Sequence, residues 1–549
     1  MNVTLIINGQ ATPATNGLSL FDHAERLGVP VPTSCHKQGK CKECLVEVIE
    51  GMDLLTPQTA EEEHLRDNFR LSCRTHVVDD VGPGQIRCHT MRRGRMRIES
   101  EASDLPQVWL STELDPAVTR RGSAILLDGT EIERSAGPIH GIAMDLGTTT
   151  IVLRLFNLET GQLVADASLE NPQRFGGSDV MSRIHYDTHH RGRLLARTLA
   201  GYLSHVIEEF PVNPKSIYEV VLVGNSTMRD IFFHQDVYTI GQNPYRSITE
   251  IELADGKRTT TSLMQSGRRL LLPIHPQARV YGGPIISGHV GADAAACMLA
   301  VDLANEDRLV AIMDVGTNTE LVVGNRQRIL AASCPAGPAF EGGAIRCGMP
   351  GLNGAIEDVA IDDNGNFVLR VIGDTEPAGI CGSGLVDLTS ELVRTGRMNE
   401  LGRFEDDSHR ITLDAEHNIY FLESDASELA QAKGANVAGL HTVFSRYGVQ
   451  FDDVEVFYLA GGFGRHLDIA SAKRIGLIPN IADSKFVSIG NAAIEGASMA
   501  LLSRSRRNEL EQIVKRVEHC RLETHPRFFD FFVEGCQFKP LESLREAVG

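Results

Sequence analysis

Two stretches 169 positions apart repeat one design: Ile142-Ala143-Met144-Asp145-Leu146-Gly147-Thr148-Thr149-Thr150 and Ala311-Ile312-Met313-Asp314-Val315-Gly316-Thr317-Asn318-Thr319. Each is an apolar strand that ends in Asp-x-Gly-Thr-x-Thr. A periodic array needs three or more units at shorter spacing, so the chain from Ile139 onward is expected to form two similar lobes and not a solenoid. Strands, glycine turns and helices alternate there, which is α/β texture. The repeated turn has a chemical use. Its glycine lets backbone N–H groups approach an anion, its threonines add hydroxyl donors, and the aspartate at the strand end can hold a hydrated Mg²⁺. A single copy reads equally well as a tight turn, but two copies facing across a cleft can clamp the β- and γ-phosphates of a nucleotide. A third element, Val456-Phe457-Tyr458-Leu459-Ala460-Gly461-Gly462-Phe463-Gly464, runs a strand into a glycine turn suited to ribose and the α-phosphate. No Walker lysine motif occurs.

The first ninety residues carry different chemistry. Cys35, Cys41, Cys44 and Cys73 have the spacing of a 2Fe–2S ligand set: three on one short loop around Gly39, the fourth returning on Arg70-Leu71-Ser72-Cys73. Plant-type ferredoxins place four residues and then two between the first three cysteines; here there are five and then two, the vertebrate and bacterial variant. Structural zinc is the alternative, but it usually takes paired CxxC knuckles, and only one is present here. The strand Val3 to Ile7, the Asn8-Gly9 turn, a serine-capped helix from Ser19 to Leu27 and a strand from Leu45 to Ile49 suit a β-grasp ferredoxin. The expected division is ferredoxin 1–90, linker 91–138 and ATPase 139–549. Lobe one is expected to run from about 139 to 310, lobe two from about 311 to 470, and a C-terminal segment over 471–549. The basic run Met91-Arg92-Arg93-Gly94-Arg95-Met96-Arg97 is read as a solvated face beside the linker.

Bulk properties exclude other classes. With 72 acidic against 53 basic residues and a formal charge of -19, no nucleic-acid partner is expected. No apolar run is long enough to span a bilayer, so no membrane partner is expected either. Eleven cysteines, an odd number in no secreted-scaffold pattern, fit the reducing cytoplasm and no disulfides.

The two phosphate turns and the glycine turn, in this order, resemble the acetate and sugar kinase, Hsp70 and actin superfamily, whose ribonuclease-H-like lobes close on ATP. That resemblance implies metal- and water-organising roles for Asp145 and Asp314. It implies phosphate contacts from Gly147, Thr148, Thr149, Thr150, Gly316, Thr317, Asn318 and Thr319, and an adenosine turn at Gly461, Gly462 and Gly464. With the ferredoxin included, the whole chain resembles the reductive activators of corrinoid proteins. Val223-Gly224-Asn225-Ser226-Thr227-Met228, Val290-Gly291-Ala292-Asp293, Gly337-Pro338-Ala339-Phe340-Glu341-Gly342-Gly343, Gly379-Ile380-Cys381-Gly382-Ser383-Gly384 and Gln431-Ala432-Lys433-Gly434 support the match. The implied fold class is multidomain α+β and α/β. The implied function is ATP-dependent transfer of one electron from the cluster to an inactive Co(II) corrinoid protein of a methyltransferase system, with an upstream electron donor. A cluster near −400 mV would run uphill to the Co(II)/Co(I) couple, hence the need for ATP. The alternatives are a redox-regulated small-molecule kinase and an Hsp70-like binding module.

Two departures are expected. The short stretch after the ferredoxin lacks the middle domain of better-known members, and a tail with only Cys520 and Cys536 lacks a 4Fe–4S site. Among lesser signals, Gly382, Ser383 and Gly384 are read as cleft-lining, and Asp293 as either a water activator or a helix cap. Glu341 is left open between nucleotide and corrinoid partner. His289, Cys334, Cys347 and Cys381 are read as packing residues.

Overall fold

The computed structural model describes residues 3–66, 68–78, 82–92, 113–406, 408–462 and 466–543. Gly464 and the basic run beyond Arg92 lie outside them. The N-terminal sheet has five strands in the order Gln10–Pro13, Val3–Ile7, Gly84–Thr90, Leu45–Glu50, Phe69–Leu71. Asn8 and Gly9 both take positive φ, closing the first hairpin at Ile7 and Gln10, as a two-residue turn with the twist of its strands requires. Ser19 caps the helix Leu20–Arg26 in a capping box with Asp22, so the serine signal marks the true start.

One ion pair holds the returning ligand strand. Glu62 is buried, bonds Arg70 Nε at 2.9 Å and accepts from the Leu71 amide at 2.9 Å and Thr75 Oγ1 at 3.2 Å. Removing one partner of a buried pair leaves the other charge without compensation, which costs about 3–5 kcal/mol. Arg70→Ala is therefore expected to destabilise the N-terminal domain by about that amount, read as a lower urea midpoint in the far-ultraviolet dichroism of this domain. An unchanged midpoint would rule out that role.

Each lobe is built on a six-stranded sheet. The first runs Leu163–Glu170, Thr150–Asn157, His140–Leu146, Ile217–Gly224, Arg279–Gly282, Leu263–Ser266. The second runs Phe486–Gly490, Val456–Ala460, Val310–Val315, Thr319–Gly324, Ile329–Cys334, Val517–His519. In both, three antiparallel strands are followed by a parallel strand on the far side of the first, so the sequence repeat is also a topological one. The helices Ala292–Ala300 and Ala492–Leu502 pack together between the sheets. Nearly every residue of the pair is buried and most are small, and a Cβ at Gly496 would lie 2.2 Å from the Ala296 carbonyl oxygen. Only glycine permits that approach.

Part of the expected linker is folded. Val118–Arg121, Ala124–Leu127 and Thr130–Arg134 form an antiparallel meander, and Val118 and Ile125 share a core with Val152, Phe156 and Tyr218 of the first lobe. Asp128 and Gly129 take positive φ at its second turn. An Asp-Gly pair between apolar runs is a strong hairpin signal, and it is the one that reading the stretch as mixed polar sequence overlooks.

Candidate functional site

The two phosphate turns meet. Asp145 and Asp314 are the penultimate residues of the strands His140–Leu146 and Val310–Val315; the turns that follow bring Thr149 Oγ1 within 2.8 Å of Thr317 Oγ1. Both hydroxyls donate to one oxygen of Glu341, Thr149 at 2.9 Å and Thr317 closer. Glu341 therefore lies between the two turns. Burial raises its carboxyl above the ordinary range, opposed by the Thr317 and Thr149 hydrogen bonds and the Arg174 charge. Thr148 is held by Asn225 Nδ2 at 2.9 Å. Thr150 and Thr319 open the next strands, while Gly316 packs its Cα side toward the Asn318 carbonyl.

Asp293 is the second residue of the helix Ala292–Ala300, whose cap position is Gly291 with no side-chain cap, so the helix-cap alternative does not hold; its Oδ1 accepts from the Ala294 amide at 2.8 Å. Its neighbours there are Asp145 and Asp314, whose charges it senses. Burial pushes Asp145 and Asp293 up to about 7 and Asp314 up to about 6. Asn491 Nδ2, from the second lobe, donates to Asp145 Oδ2 at 2.9 Å, and the Cys297 thiol donates to Asp314 Oδ2 at 3.3 Å. Gly461 has φ +86, and a Cβ there would lie 2.7 Å from Asp314 Oδ1. Gly462 follows it in the same turn.

Gly382, Ser383 and Gly384 start the helix Gly382–Arg394. Their contacts run to the strand Ala355–Ile361: Ser383 Oγ donates to the Glu357 carbonyl at 2.8 Å, and Gly384 abuts the Ile356 carbonyl. The helix packs on the turn Pro338–Glu341 and so supports Glu341 from behind. Cys334 and Cys381 are buried, Cys347 is half-buried, and the His289 ring lies 5.3 Å from Tyr245.

Among the described residues, no three His, Cys, Asp or Glu side chains gather as ligands of a single ion. That is compatible with Mg²⁺, which binds through one or two carboxylates, waters and substrate phosphates and not through an all-protein cage. Three half-buried acids with raised pKa values also set a pH dependence. The nucleotide-free fold holds these protons more tightly than the unfolded chain does, so its stability falls as pH rises from the ordinary carboxylate range through about 7. A cation among the ionised carboxylates relieves the repulsion. MgADP is accordingly expected to raise the melting temperature more at about pH 8 than at about pH 6; equal shifts in differential scanning calorimetry would contradict this.

The cysteine loop is wound by left-handed residues: His36, Lys37, Gly39 and Lys42 all have positive φ. The winding turns amides inward. Against burial, which raises it, the Cys41, Lys40 and Gln38 amides and the Cys41 thiol bring the Cys35 thiol down to about 7. The four sulfurs fall into two pairs, Cys35 hydrogen-bonded with Cys41 and Cys44 Sγ 3.3 Å from Cys73 Sγ. Two thiols for each of two irons is the division that a 2Fe–2S cluster needs.

This end of the domain is seated on the first lobe. Phe21, Cys44, Leu45, Phe69, Leu71 and Cys73 share a core with Phe175, Leu199, Tyr202 and Leu203. Tyr202 Oη donates to the Glu43 carbonyl at 2.6 Å, and His205 Nε2 lies 3.2 Å from the Glu43 carboxylate. The pairing raises the His205 pKa. Glu341 is singled out by its glycine-rich segment with its role left open, whereas none of Asn491, Tyr202 or His205 belongs to a motif that spacing could single out.

Comparison with known proteins places three family models end to end. A 2Fe-2S iron-sulfur cluster binding domain matches residues 5–78, the RACo middle region matches 140–306, and the C-terminal domain of RACo, the ASKHA domain, matches 308–546. The middle region expected to be missing is therefore present, as the first lobe. The corrinoid activation enzyme RamQ of Eubacterium limosum is 28% identical over 94% of this chain and 95% of its own. The Co(II) methylated amine-specific corrinoid protein reductase of Methanosarcina barkeri is 24% identical over 72% of this chain and 76% of its own. The solved structure of a reductive activator for corrinoid, iron-sulfur protein superposes with TM-score 0.71 at 25% identity, covering 98% of both chains. With its ferredoxin, middle region and ASKHA domain in this order, the chain belongs to the RACo family of corrinoid reductive activators.

Proposed function

We propose that this protein is an ATP-dependent reductive activator that delivers one electron to the Co(II) centre of a corrinoid protein of a methyltransferase system, returning it to Co(I). The observation that carries the reading is the joining of two sites on one lobe: the paired thiols are seated on the same six-stranded unit that bears the first phosphate turn. Cys35, Cys41, Cys44 and Cys73 would hold a 2Fe–2S cluster, which supplies one-electron transfer at low potential. Asp145 and Asp314, with Asp293 beside them, would hold Mg²⁺, which neutralises phosphate charge.

The chain's own groups do the rest. Thr149 and Thr317 offer hydroxyls from opposite lobes to one phosphate, Gly461 and Gly462 let the backbone approach the nucleoside, and Asn491 fixes the Asp145 carboxylate. Asp293, with a pKa near neutrality, has the basicity to orient and accept a proton from an attacking water. Binding energy from closing both lobes on one nucleotide can then shift the population of docked states, to the extent that those states differ in nucleotide affinity. Among the described residues no helix is long and apolar enough to cross a membrane, and the free cysteines suit a reducing cytoplasm.

The test is anaerobic mixing of the reduced protein with a Co(II) corrinoid protein, with and without MgATP, while Co(I) absorbance is followed. Co(I) should accumulate only with MgATP, with ADP and phosphate as the nucleotide products. Equal accumulation without nucleotide would overturn the reading.

A further inference from the structure

We propose that Arg174 is the positioning residue that ties the phosphate site to the cluster loop, and that Glu341 holds the place between Thr149 and Thr317 that a nucleotide phosphate takes. The inference rests on the nucleotide-site reading above and adds how that site reaches the ferredoxin.

Arg174 bridges two parts of the molecule. Its Nη2 lies 3.3 Å from Glu47 Oε1 of the ferredoxin and its Nη1 lies 3.2 Å from Glu170 Oε1 of the first lobe. Glu47 sits on the strand Leu45–Glu50, three residues beyond Cys44. On the other side, the segment carrying Arg174 is fastened to the first phosphate turn. Glu170 pairs with Thr150 in the sheet, the Asn171 amide donates to the Thr149 carbonyl at 2.7 Å, and Asn171 Nδ2 donates to the Gly147 carbonyl at 2.9 Å. A shift of that turn is therefore a shift of Arg174.

Glu341 supplies the trigger. One of its oxygens takes hydroxyl donors from both lobes, the arrangement that an anionic phosphate oxygen would take. Each threonine hydroxyl has one proton to donate, and both are taken by the same Glu341 oxygen, so a phosphate oxygen that takes those donors must displace the carboxylate. Arg174 and Arg183 both feel the Glu341 charge. Arg183 is fully buried and keeps an Nη2 without a partner, a donor open to the displaced group. Because Asn171 fastens the first phosphate turn to the segment that carries Arg174, a displacement at Thr149 is passed to the Arg174–Glu47 contact beside the cluster loop.

The test uses the full chain with its cluster and the variants Glu47→Gln, Glu47→Asp and Arg174→Gln, read by visible circular dichroism of the cluster upon addition of a non-hydrolysable ATP analogue with Mg²⁺. In the unmodified protein the analogue should change the cluster spectrum. Glu47→Gln and Arg174→Gln should lose that change and Glu47→Asp should keep it. All three should retain cluster absorbance and bind the analogue within about fivefold of the original affinity, the reach of a partly exposed ion pair. A Glu47→Gln protein that responds like the original, or an original protein that binds the analogue with no spectral change, would overturn the proposal. Failure to bind nucleotide at all would instead strike the nucleotide-site reading.

Discussion

Cys44→Ser should yield a folded, colourless protein that still binds nucleotide and no longer makes Co(I). Cys44 is fully buried, with its sulfur 3.3 Å from that of Cys73. Its backbone is held independently of the thiol: the carbonyl accepts from the Ser72 amide at 2.8 Å and from Ser72 Oγ at 2.9 Å, and Tyr202 fixes the preceding carbonyl. Serine is close in volume, so the loop should keep its course while the soft sulfur donor that iron requires is gone. Changes one shell outside a metal typically cost 10–100-fold, and loss of a ligand should cost at least ~100-fold in Co(I) formation. Cys88→Ser is the control. Cys88 lies buried in the strand Gly84–Thr90, where burial alone pushes its thiol up to about 12, and its loss should leave the visible spectrum intact. A Cys44→Ser protein with a normal spectrum and normal Co(I) yield would move the ligand set elsewhere.

The parts of this molecule that were legible in its sequence are those set by local chemistry. The cysteine spacing specifies a loop because iron dictates the ligands, and the Asp-x-Gly-Thr repeat specifies two strand corners because a phosphate dictates the donors. Strand Val3–Ile7 and the cap at Ser19 followed from alternation and capping alone. What was hidden depends on pairing across the fold. Glu341, whose glycine-rich segment marks it without a role, meets Thr149 across 192 positions, and Asn491 meets Asp145 across 346; nothing local names the partner of the one or announces the other. The seating of the ferredoxin on Tyr202 and His205 was silent for the same reason, since both lie on a helix, Leu194–Glu209, whose pattern reads simply as amphipathic. The glycine-serine-glycine run at 382–384 shows the converse. Its composition suggests a phosphate turn, yet the close approach of Gly384 to the Ile356 carbonyl gives it a packing reason to exist, and its link to the cleft runs through the turn that presents Glu341.

Asp314→Asn should produce the complementary defect: a normal, reducible cluster in a protein that hydrolyses ATP ~10²–10³-fold more slowly, the usual cost of losing one preorganised electrostatic contact to a transition state. The side chain is isosteric, its carbonyl can still accept from the Cys297 thiol, and Gly461 leaves the same room. Structure should therefore survive, and with one like charge removed from beside Asp145 and Asp293 the nucleotide-free protein should melt no lower than the original. ATP-stimulated Co(I) formation should fall to the rate seen without nucleotide, as the proposed bias of the docked state by lobe closure requires. A variant that hydrolyses ATP normally would remove Asp314 from the reaction. The two defects also interrogate each other. If cluster and phosphate turn must act from one lobe on one bound partner, an equimolar mixture of Cys44→Ser and Asp314→Asn proteins will not regain activity, since one chain has no electron to give and the other no hydrolysis to couple to it. Recovery in the mixture would mean that nucleotide and electron reach the corrinoid protein from separate molecules, and the seating of the ferredoxin on the first lobe would then be structural packing alone.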